Sequence, residues 1–507
     1  MINEQQLSGP AATKAVRVRG RSLVRDALVY GGASVLGRAL ALFTFPILTR
    51  RLGVDQYGAL DLASFIAGLF VVALVFGQDS AIARYFYEFT DRNSRRQLIS
   101  QSLAIQVAVM ILLLPIGWAF ADLLGQQIFD SDFGGQWFRI ILLQIPCMLL
   151  VNFSTNVLRW SMRRTQYVAM NIASAIVQAA ALSTVAICTI PDVAVVLTIG
   201  VAVYATFAII GLALIREWIT WPQGSDMVRR TIGFAWPVGV ICVAGALTPV
   251  LERVLTERLL GPADLGRFAV AARLAGLLYL AVSAFQSAWG PFALANYRHA
   301  EAEAVFQRVY LVGSALGCAI ALSLSGCAVP LIRILASAKY EESALAVFPL
   351  ALAIAMQSTM WIAEIGITIA KRNHLQFLPF TLQIVISVGL LSMMPASAGI
   401  VWVGFAVLAG QTVKCVATCR ASSRSHPIHW PHLRVTAVYT ATIICGVASI
   451  SLMNRAGALA GGVVALIGAA ALLFATWRMA LTPFDRHRAL LALARTLAVS
   501  HRQRSLR

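Results

Sequence analysis

The chain has 507 residues, of which 59% are hydrophobic and 12% are charged, and its formal net charge is +19. A soluble domain carries roughly 25% charged residues, so this composition excludes a soluble globular protein. The basic residues lie mainly in short gaps between apolar runs, without a compact patch of interleaved aromatic residues. This distribution argues against nucleic-acid binding and indicates membrane topology and contact with anionic lipids.

Apolar runs of about 20 residues predict about fourteen membrane-spanning helices in an all-α polytopic protein. Residues 1–26 are polar and basic, and the apolar run that follows is too long for a cleavable signal peptide, so we expect the first helix to remain in the protein. The predicted spans lie near 27–49, 59–80, 99–123, 137–158, 167–190, 193–215, 232–255, 264–287, 309–335, 344–370, 375–394, 397–418, 434–453 and 456–477.

The positions of Lys and Arg agree with this number of spans. If the N-terminus is cytoplasmic, 30 of the 41 basic residues fall on the inner side and 7 on the outer side. Lys414 lies near the inner end of the predicted span 397–418 and is counted with the inner gap that follows this span. Because a wrong number of spans would scramble the alternation, the charges predict that both termini are cytoplasmic.

An internal repeat relates the two halves of the chain. Residues 48–70 read LTRRLGVDQYGALDLASFIAGLF, and residues 255–278 read LTERLLGPADLGRFAVAARLAGLL. With one inserted residue, ten positions recur, among them Gly58 as Gly266 and Gly68 as Gly276. An even number of spans separates the copies, so the halves run in the same direction and form a parallel repeat, as in many transporters.

The repeat and the charge pattern together predict the domain organisation. After the cytoplasmic N-terminus of 1–26, we expect two six-helix bundles, a linker, two appended helices and a basic cytoplasmic tail. The tail, with Pro483 near its start, is predicted to form an amphipathic helix on the inner leaflet, the alternative being a frayed end. The N-terminal bundle is predicted over 27–215, the cytoplasmic linker over 216–231 and the C-terminal bundle over 232–418. The two appended helices are predicted over 434–477 and the tail over 478–507.

Charged residues inside the spans are candidates for function because charge is costly within hydrocarbon. Arg38 lies near the middle of the first span among small residues, and Arg273 lies about two turns into the eighth. We predict that these two residues line a cationic cavity together with Arg267 and Arg139, although the last two lie near span ends and could instead snorkel. For Arg38 the alternative is a structural ion pair with Asp61.

Other charged residues have different predicted roles. Asp61 and Glu364 are candidates for proton or ion coupling, and Asp79 and Arg84 for a gate or an interfacial anchor. Arg253 is expected to form a local ion pair with its neighbours on the same helix, which are Glu252 and Glu257.

The sequence predicts neither an enzyme nor a metal or cofactor site. The eight cysteines lie mostly inside apolar runs, and the phosphate-loop and HExxH motifs are absent. Without an ATPase motif, the driving force is expected to be a gradient, the membrane potential or consumption of the product.

The first loop carries a family resemblance. FPILTRRLGVDQYGALDLASFIAGLF, followed by AIARYFYEF, resembles the Wzx-type flippases of polysaccharide biosynthesis, which belong to the multidrug/oligosaccharidyl-lipid/polysaccharide exporter superfamily. The resemblance implies alternating-access transfer of an undecaprenyl-diphosphate-linked repeat unit across the bacterial inner membrane. It also implies assembly of surface polysaccharide, exopolysaccharide or O-antigen, with a polysaccharide polymerase and glycosyltransferases as candidate partners.

Three alternatives remain open at this point. A lipid II flippase shares the number of spans, and a small-molecule exporter belongs to the same superfamily but would favour acidic cavity residues. A membrane-embedded polymerase or ligase would need a large outer loop with catalytic residues, whereas the longest outer gap, 124–136, has only Asp130 and Asp132 as charges.

Overall fold

A computed structural model of the protein describes residues 36, 43–189, 191–224, 226–299, 301–395 and 398–480, and every regular element in them is helical. The α-helices are α1 Val54–Val75, α2 Gln78–Glu88, α3 Arg92–Ala119, α4 Ala121–Phe129, α5 Gly134–Trp160, α6 Arg164–Cys188, α7 Val193–Ile215, α8 Asp226–Leu260, α9 Pro262–Ala275, α10 Leu278–Asn296, α11 Ala302–Gly326, α12 Ala328–Leu335, α13 Ala344–Ala363, α14 Ile365–Ile369, α15 Phe377–Ser392, α16 Ile400–Ser425, α17 His432–Ala456 and α18 Ala458–Ala480.

Thirteen helical segments of the described residues are long and apolar enough to cross a membrane. They correspond one to one with the predicted spans after the first. Of the first predicted span, 27–49, residues 36 and 43–49 are described and are helical. The predicted fold class, an all-α polytopic membrane protein with about fourteen spans, is confirmed. The N-terminal segment 1–26 and the amphipathic helix predicted near Pro483 lie outside the described residues.

The two halves pack in the same way, as a parallel repeat requires. The most extensive helix contacts in the described structure are α5 against α7 and α13 against α16. These are the fourth and sixth spans of the first half and their counterparts, the tenth and twelfth spans. The appended helices α17 and α18 pack against each other and against α11.

The repeated glycines lie at the contact between the halves. A Cβ on Gly58 of α1 would lie 2.6 Å from the backbone nitrogen of Gly266 of α9, and a Cβ on Gly266 would overlap the carbonyl oxygen of Val54. Equivalent residues of a two-fold repeat meet each other only near the axis that relates the two copies. The glycines therefore mark this axis, at the end of the bundle predicted to face outward.

A second close approach joins the halves at the other end of α1. Gly77, between α1 and α2, has φ 74°, a conformation that favours glycine. A Cβ there would lie 2.5 Å from the carbonyl oxygen of Ala235 and 2.6 Å from the nitrogen of Gly239, both on α8. Helix α1 thus contacts the second half near both of its ends.

Candidate functional site

A cavity of about 680 Å³ lies in the second half beside α1. This volume is in the range of ligand pockets in proteins. Helices α8, α9, α10, α13, α15 and α16 supply most of its wall, and α1 adds Asp61 and Phe65. The other polar and charged lining residues are Thr248, Glu252, Arg253, Arg273, Tyr279, Gln357, Trp361, Gln383, Gln411 and Lys414.

A buried ion pair in the cavity wall joins the two halves. Nε of Arg253 on α8 donates to Oδ2 of Asp61 on α1 at 2.7 Å, and the two side chains are 5% and 8% exposed. The guanidinium carbon lies 3.4 Å from the centroid of the Phe65 ring. The expected local pairing of Arg253 with Glu252 or Glu257 is therefore wrong, because the partner comes from the other half of the molecule.

Lys414 lies inside a helix and not in the inner gap to which the sequence assigned it. Helix α16 runs to Ser425, well beyond the predicted end of its span at residue 418, so Lys414 lies near the middle of the helix. Its side chain is 4% exposed, and its ammonium nitrogen lies 4.7 Å from the centroid of the Phe380 ring. That assignment was wrong because the charge near a span end was taken for a loop residue.

Arg273, predicted to line a cavity, does line this one. Its guanidinium carbon lies 5.8 Å from the centroid of the Phe45 ring, and its Nε has no hydrogen-bond partner among the described residues. Within those residues, neither Arg273 nor Lys414 forms an ion pair or a hydrogen bond with a carboxylate. Asp61 and Glu252 line the same cavity and interact electrostatically with Arg273 and Lys414, respectively. In the described wall, the three cations Arg253, Arg273 and Lys414 outnumber these two acids, and the excess of positive charge favours an anionic ligand.

Neutral polar groups complete the cavity. Ser387 donates its hydroxyl proton to Oε1 of Glu252 at 3.2 Å, so that carboxylate already has a partner. Gln383 donates to Oε1 of Gln411 at 3.2 Å, which leaves Oε1 of Gln383 and Nε2 of Gln411 without partners in the described structure. These amide groups are suited to hydrogen bonds with hydroxyl or phosphate oxygens.

Two of the other predicted cationic residues, Arg267 and Arg139, do not line this cavity. Arg267 donates to Oδ1 of Asp264 at 2.6 Å, and its Nε lies 3.1 Å from Oε2 of Glu342. Arg139 donates to Oδ2 of Asp122 at 2.5 Å in a solvent-exposed pair. Arg38 lies outside the described residues, and its role remains a prediction.

The residues predicted for coupling or gating are dispersed. Glu364, at the junction of α13 and α14, accepts a hydrogen bond from Gln376 at 2.6 Å and lies outside the cavity lining. Asp79 on α2 accepts from Asn156 of α5 at 2.8 Å. Arg84, also on α2, contacts α8 through the Phe234 ring, whose centroid lies 5.0 Å from its guanidinium carbon.

Sequence reasoning missed Glu252, Arg253 and Lys414 as cavity residues. One signal was present for Lys414, because the five residues that follow it, CVATC, carry no charge and extend the helix. For Arg253 the nearby Glu257 suggested a simpler local partner. No feature of the sequence indicated that Asp61, 192 residues away, would bind it instead.

Solved structures show which class of protein has this fold. The lipid II flippase MurJ in an inward closed conformation is 12% identical, with a TM-score of 0.67 over 89% of this chain and 99% of that chain. An inward-facing MATE family multidrug transporter of the MOP superfamily is 11% identical, with a TM-score of 0.64 over 82% and 96%. A mutant of the Vibrio cholerae MATE transporter VcmN is 13% identical, with a TM-score of 0.57 over 80% and 98%. The chain therefore has the MOP superfamily fold.

The profile of one family within this class matches more than half of the chain. It is described as polysaccharide biosynthesis protein and matches residues 23–295, so the chain belongs to the polysaccharide biosynthesis protein family. The resemblance read from the first loop is confirmed at this level.

Two curated relatives from Haemophilus influenzae match a short segment. An uncharacterized membrane protein is 33% identical over 72 residues, and Lsg locus putative protein 1 is 30% identical over 69 residues. Each match covers 14% of this chain, and they cover 18% and 17% of the respective relatives. These matches therefore span less than a fifth of either relative.

Proposed function

We propose that the protein is a flippase that moves an undecaprenyl-diphosphate-linked oligosaccharide from the inner to the outer leaflet of the bacterial inner membrane. The observation that carries this proposal is the pair of buried cations, Arg273 and Lys414, which line one cavity without a carboxylate partner in the described structure. The family match supports the link to polysaccharide synthesis. The product would serve surface polysaccharide, exopolysaccharide or O-antigen assembly.

The chemistry of a lipid-linked sugar matches these groups. A diphosphate is multiply anionic and does not cross hydrocarbon unaided. The guanidinium of Arg273 stays protonated and is shaped to bind phosphate oxygens in pairs, whereas the ammonium of Lys414 acts as a point charge. The side-chain amides of Gln383 and Gln411 are available to sugar hydroxyls.

The contacts between the halves support alternating access as the mechanism. Contacts at Gly58–Gly266 and Gly77–Gly239 hold α1 and α2 against the second half, and the Asp61–Arg253 pair lies in the cavity wall between these two contacts. Transport requires the halves to separate at one end while they stay together at the other. Arg38, from the first span, is predicted to supply a further cation, with Arg38→Ala abolishing export and Arg38→Lys partly active.

The proposal is tested first by deletion of the gene and by variants of the two cavity cations. Deletion of the gene is expected to cause accumulation of undecaprenyl-linked intermediates and loss of surface polysaccharide. Arg273→Gln and Lys414→Gln are expected to reduce export at least about tenfold at unchanged protein levels, since each removes a charge-assisted contact to phosphate. Arg455→Gln, which removes the same charge from an exposed position on α17, serves as the matched control. Full export by both cavity variants would contradict the proposal.

The likeness to MurJ favours one second candidate, a lipid II flippase, because that substrate also carries a polyprenyl diphosphate. The purified protein in proteoliposomes separates the candidates when it is given an undecaprenyl-diphosphate oligosaccharide, lipid II or a cationic drug. We expect transfer of the oligosaccharide. Transfer of the drug alone would indicate the small-molecule exporter, and glycosidic bond formation would indicate a polymerase or ligase.

The remaining sequence predictions accompany this proposal. Both termini are expected in the cytoplasm, with the basic tail on anionic inner-leaflet lipids and a polysaccharide polymerase and glycosyltransferases as neighbours. Proton or ion coupling through Glu364 or Asp61 stays a prediction, and the Asp61 carboxylate already pairs with Arg253.

A further inference from the structure

A second, apolar cavity of about 260 Å³ lies between α8 and α15. Trp236, Val240 and Ala244 line it from α8, and Phe377 and Phe380 line it from α15. Thr381 also lines the cavity, and its hydroxyl group already donates to the carbonyl oxygen of Phe377 at 3.0 Å. The cavity, called here the α8–α15 groove, therefore offers a ligand almost only apolar contacts.

The groove opens at an exposed surface of α8, a helix long and apolar enough to cross a membrane. Trp236 is 51% exposed and Val240 is 39% exposed, and both lie within the membrane-spanning segment Met227–Leu260. The centroids of the Trp236 and Phe377 rings lie 6.2 Å apart across the mouth. A lipid chain that lies beside this part of α8 can enter the groove sideways.

The groove and the charged cavity share one wall. Phe380 lines both, and its ring packs so close to Gly245 that a Cβ on that glycine would lie 3.1 Å from Cε1 of the ring. The Lys414 ammonium lies 4.7 Å from the centroid of the same ring. A buried cation and an apolar groove are thus separated by a single aromatic side chain.

We propose that the α8–α15 groove holds the first isoprene units of the lipid carrier while the diphosphate lies at Lys414 and Arg273. This inference rests on the proposed function and extends it by assigning a site to the lipid chain inside the second half of the molecule. The ligand class that fits is a prenyl diphosphate, because its anionic group and its apolar chain are joined directly, and the two cavities lie side by side with the Phe380 side chain between them. A site for ordinary bilayer lipid would fill the groove but would not couple it to diphosphate binding.

Chain length is the variable that tests the coupling. Binding of pyrophosphate, dimethylallyl diphosphate, geranyl diphosphate and farnesyl diphosphate to the full-length protein is measured by calorimetry in detergent. Full burial of a five-carbon isoprene unit at about 0.8 kcal/mol for each carbon group would raise the affinity up to about a thousandfold. Because detergent also binds the chain, we expect a rise of at least about tenfold with each of the first isoprene units, and then no further rise when the groove is full.

Two variants separate the groove from non-specific partition into detergent. Ala244→Trp fills the groove from inside, and Val240→Trp blocks it at the exposed mouth, where a larger side chain is easily accommodated. In both variants, the gain in affinity from pyrophosphate to farnesyl diphosphate should be at least about tenfold smaller than in the wild type. The affinity for pyrophosphate itself should stay within about twofold of the wild-type value. Ala470→Trp, on the exposed face of α18, is the matched control and should behave as the wild type.

The outcomes are distinguishable. If pyrophosphate binds but both groove variants keep the full chain-length dependence, the groove is not the chain site and the inference is overturned, while the proposed function stands. If no prenyl diphosphate and no pyrophosphate binds, and Arg273→Gln changes nothing, the proposed function falls and the inference falls with it.

Discussion

The two halves of the molecule share a packing plan but differ in what they place at the centre. Helices α5 and α7 of the first half pack as α13 and α16 do in the second. Yet the first half supplies only Asp61 and Phe65 to the described cavity wall, and the second half supplies all the rest. The two halves therefore repeat the same helix packing, but they do not repeat the same charged residues in the described cavity wall.

The difference is clearest at equivalent positions of the repeat. The alignment that matches Gly58 with Gly266 also matches Phe65 with Arg273 and Asp61 with Ala269. Each half thus carries a charge where the other carries an uncharged residue. The glycines maintain the symmetric contact between the halves, whereas the charges that line the cavity in the described part of the chain belong mostly to the second half.

The largest effect is expected from breaking the charged link between the halves. Asp61→Asn leaves the buried Arg253 guanidinium without a counterion, and removing one member of a buried ion pair costs about 3–5 kcal/mol. We expect a marked fall in the thermal unfolding temperature of the detergent-solubilised protein, with a similar fall for Arg253→Gln. The double variant should lose less than the sum of the two single variants.

The exposed pair Arg84–Glu88, with an Nε–Oε1 distance of 3.1 Å, is the control for this cycle. Such surface pairs contribute about 0–1 kcal/mol, so Arg84→Gln should barely change unfolding. Equal stability of Asp61→Asn and Arg84→Gln would show that the pair between the halves contributes nothing to stability.

A smaller effect is expected from disturbing the symmetric contact. Gly266→Ala places a methyl group against the Val54 carbonyl, and Gly58→Ala places one against Gly266. Overpacking of this kind costs about 1–3 kcal/mol and should reduce transport in proteoliposomes severalfold by preventing closure of this end. Gly68→Ala has open space around its new methyl group and should transport normally. If Gly68→Ala reduced transport as much, the effect would come from replacing a glycine anywhere in α1 and not from the contact between the halves.

The smallest effect is expected at Arg139 in the first half. Its side chain is exposed and pairs with Asp122 away from the described cavity. Arg139→Gln should change stability by no more than about 0.5 kcal/mol and should support full polysaccharide export, in contrast to Arg273→Gln. Loss of export by Arg139→Gln at normal protein levels would place a second anion-binding region in the first half.

Much of the fold was predictable because its signals are local. The apolar runs marked the thirteen described spans, and the repeat around Gly58 and Gly266 identified the symmetry. Arg273 was also identified as a cavity residue, since its depth along a helix can be counted from the sequence. Arg139 and Arg267 show the limit of that reasoning, because a charge near the end of a span has the same local appearance whether it faces a cavity or a neighbouring carboxylate.

The amino-acid sequence alone determined the membrane-spanning architecture and the parallel relation of the halves, since hydrophobicity, charge alternation and repetition act along the chain. Only the tertiary structure decided which charges meet. Asp61 binds Arg253 instead of a closer candidate, and Lys414 lies in a cavity instead of a loop. The physical reason is that electrostatic pairing and burial depend on distances in space, and helices far apart in sequence come together only when the halves pack.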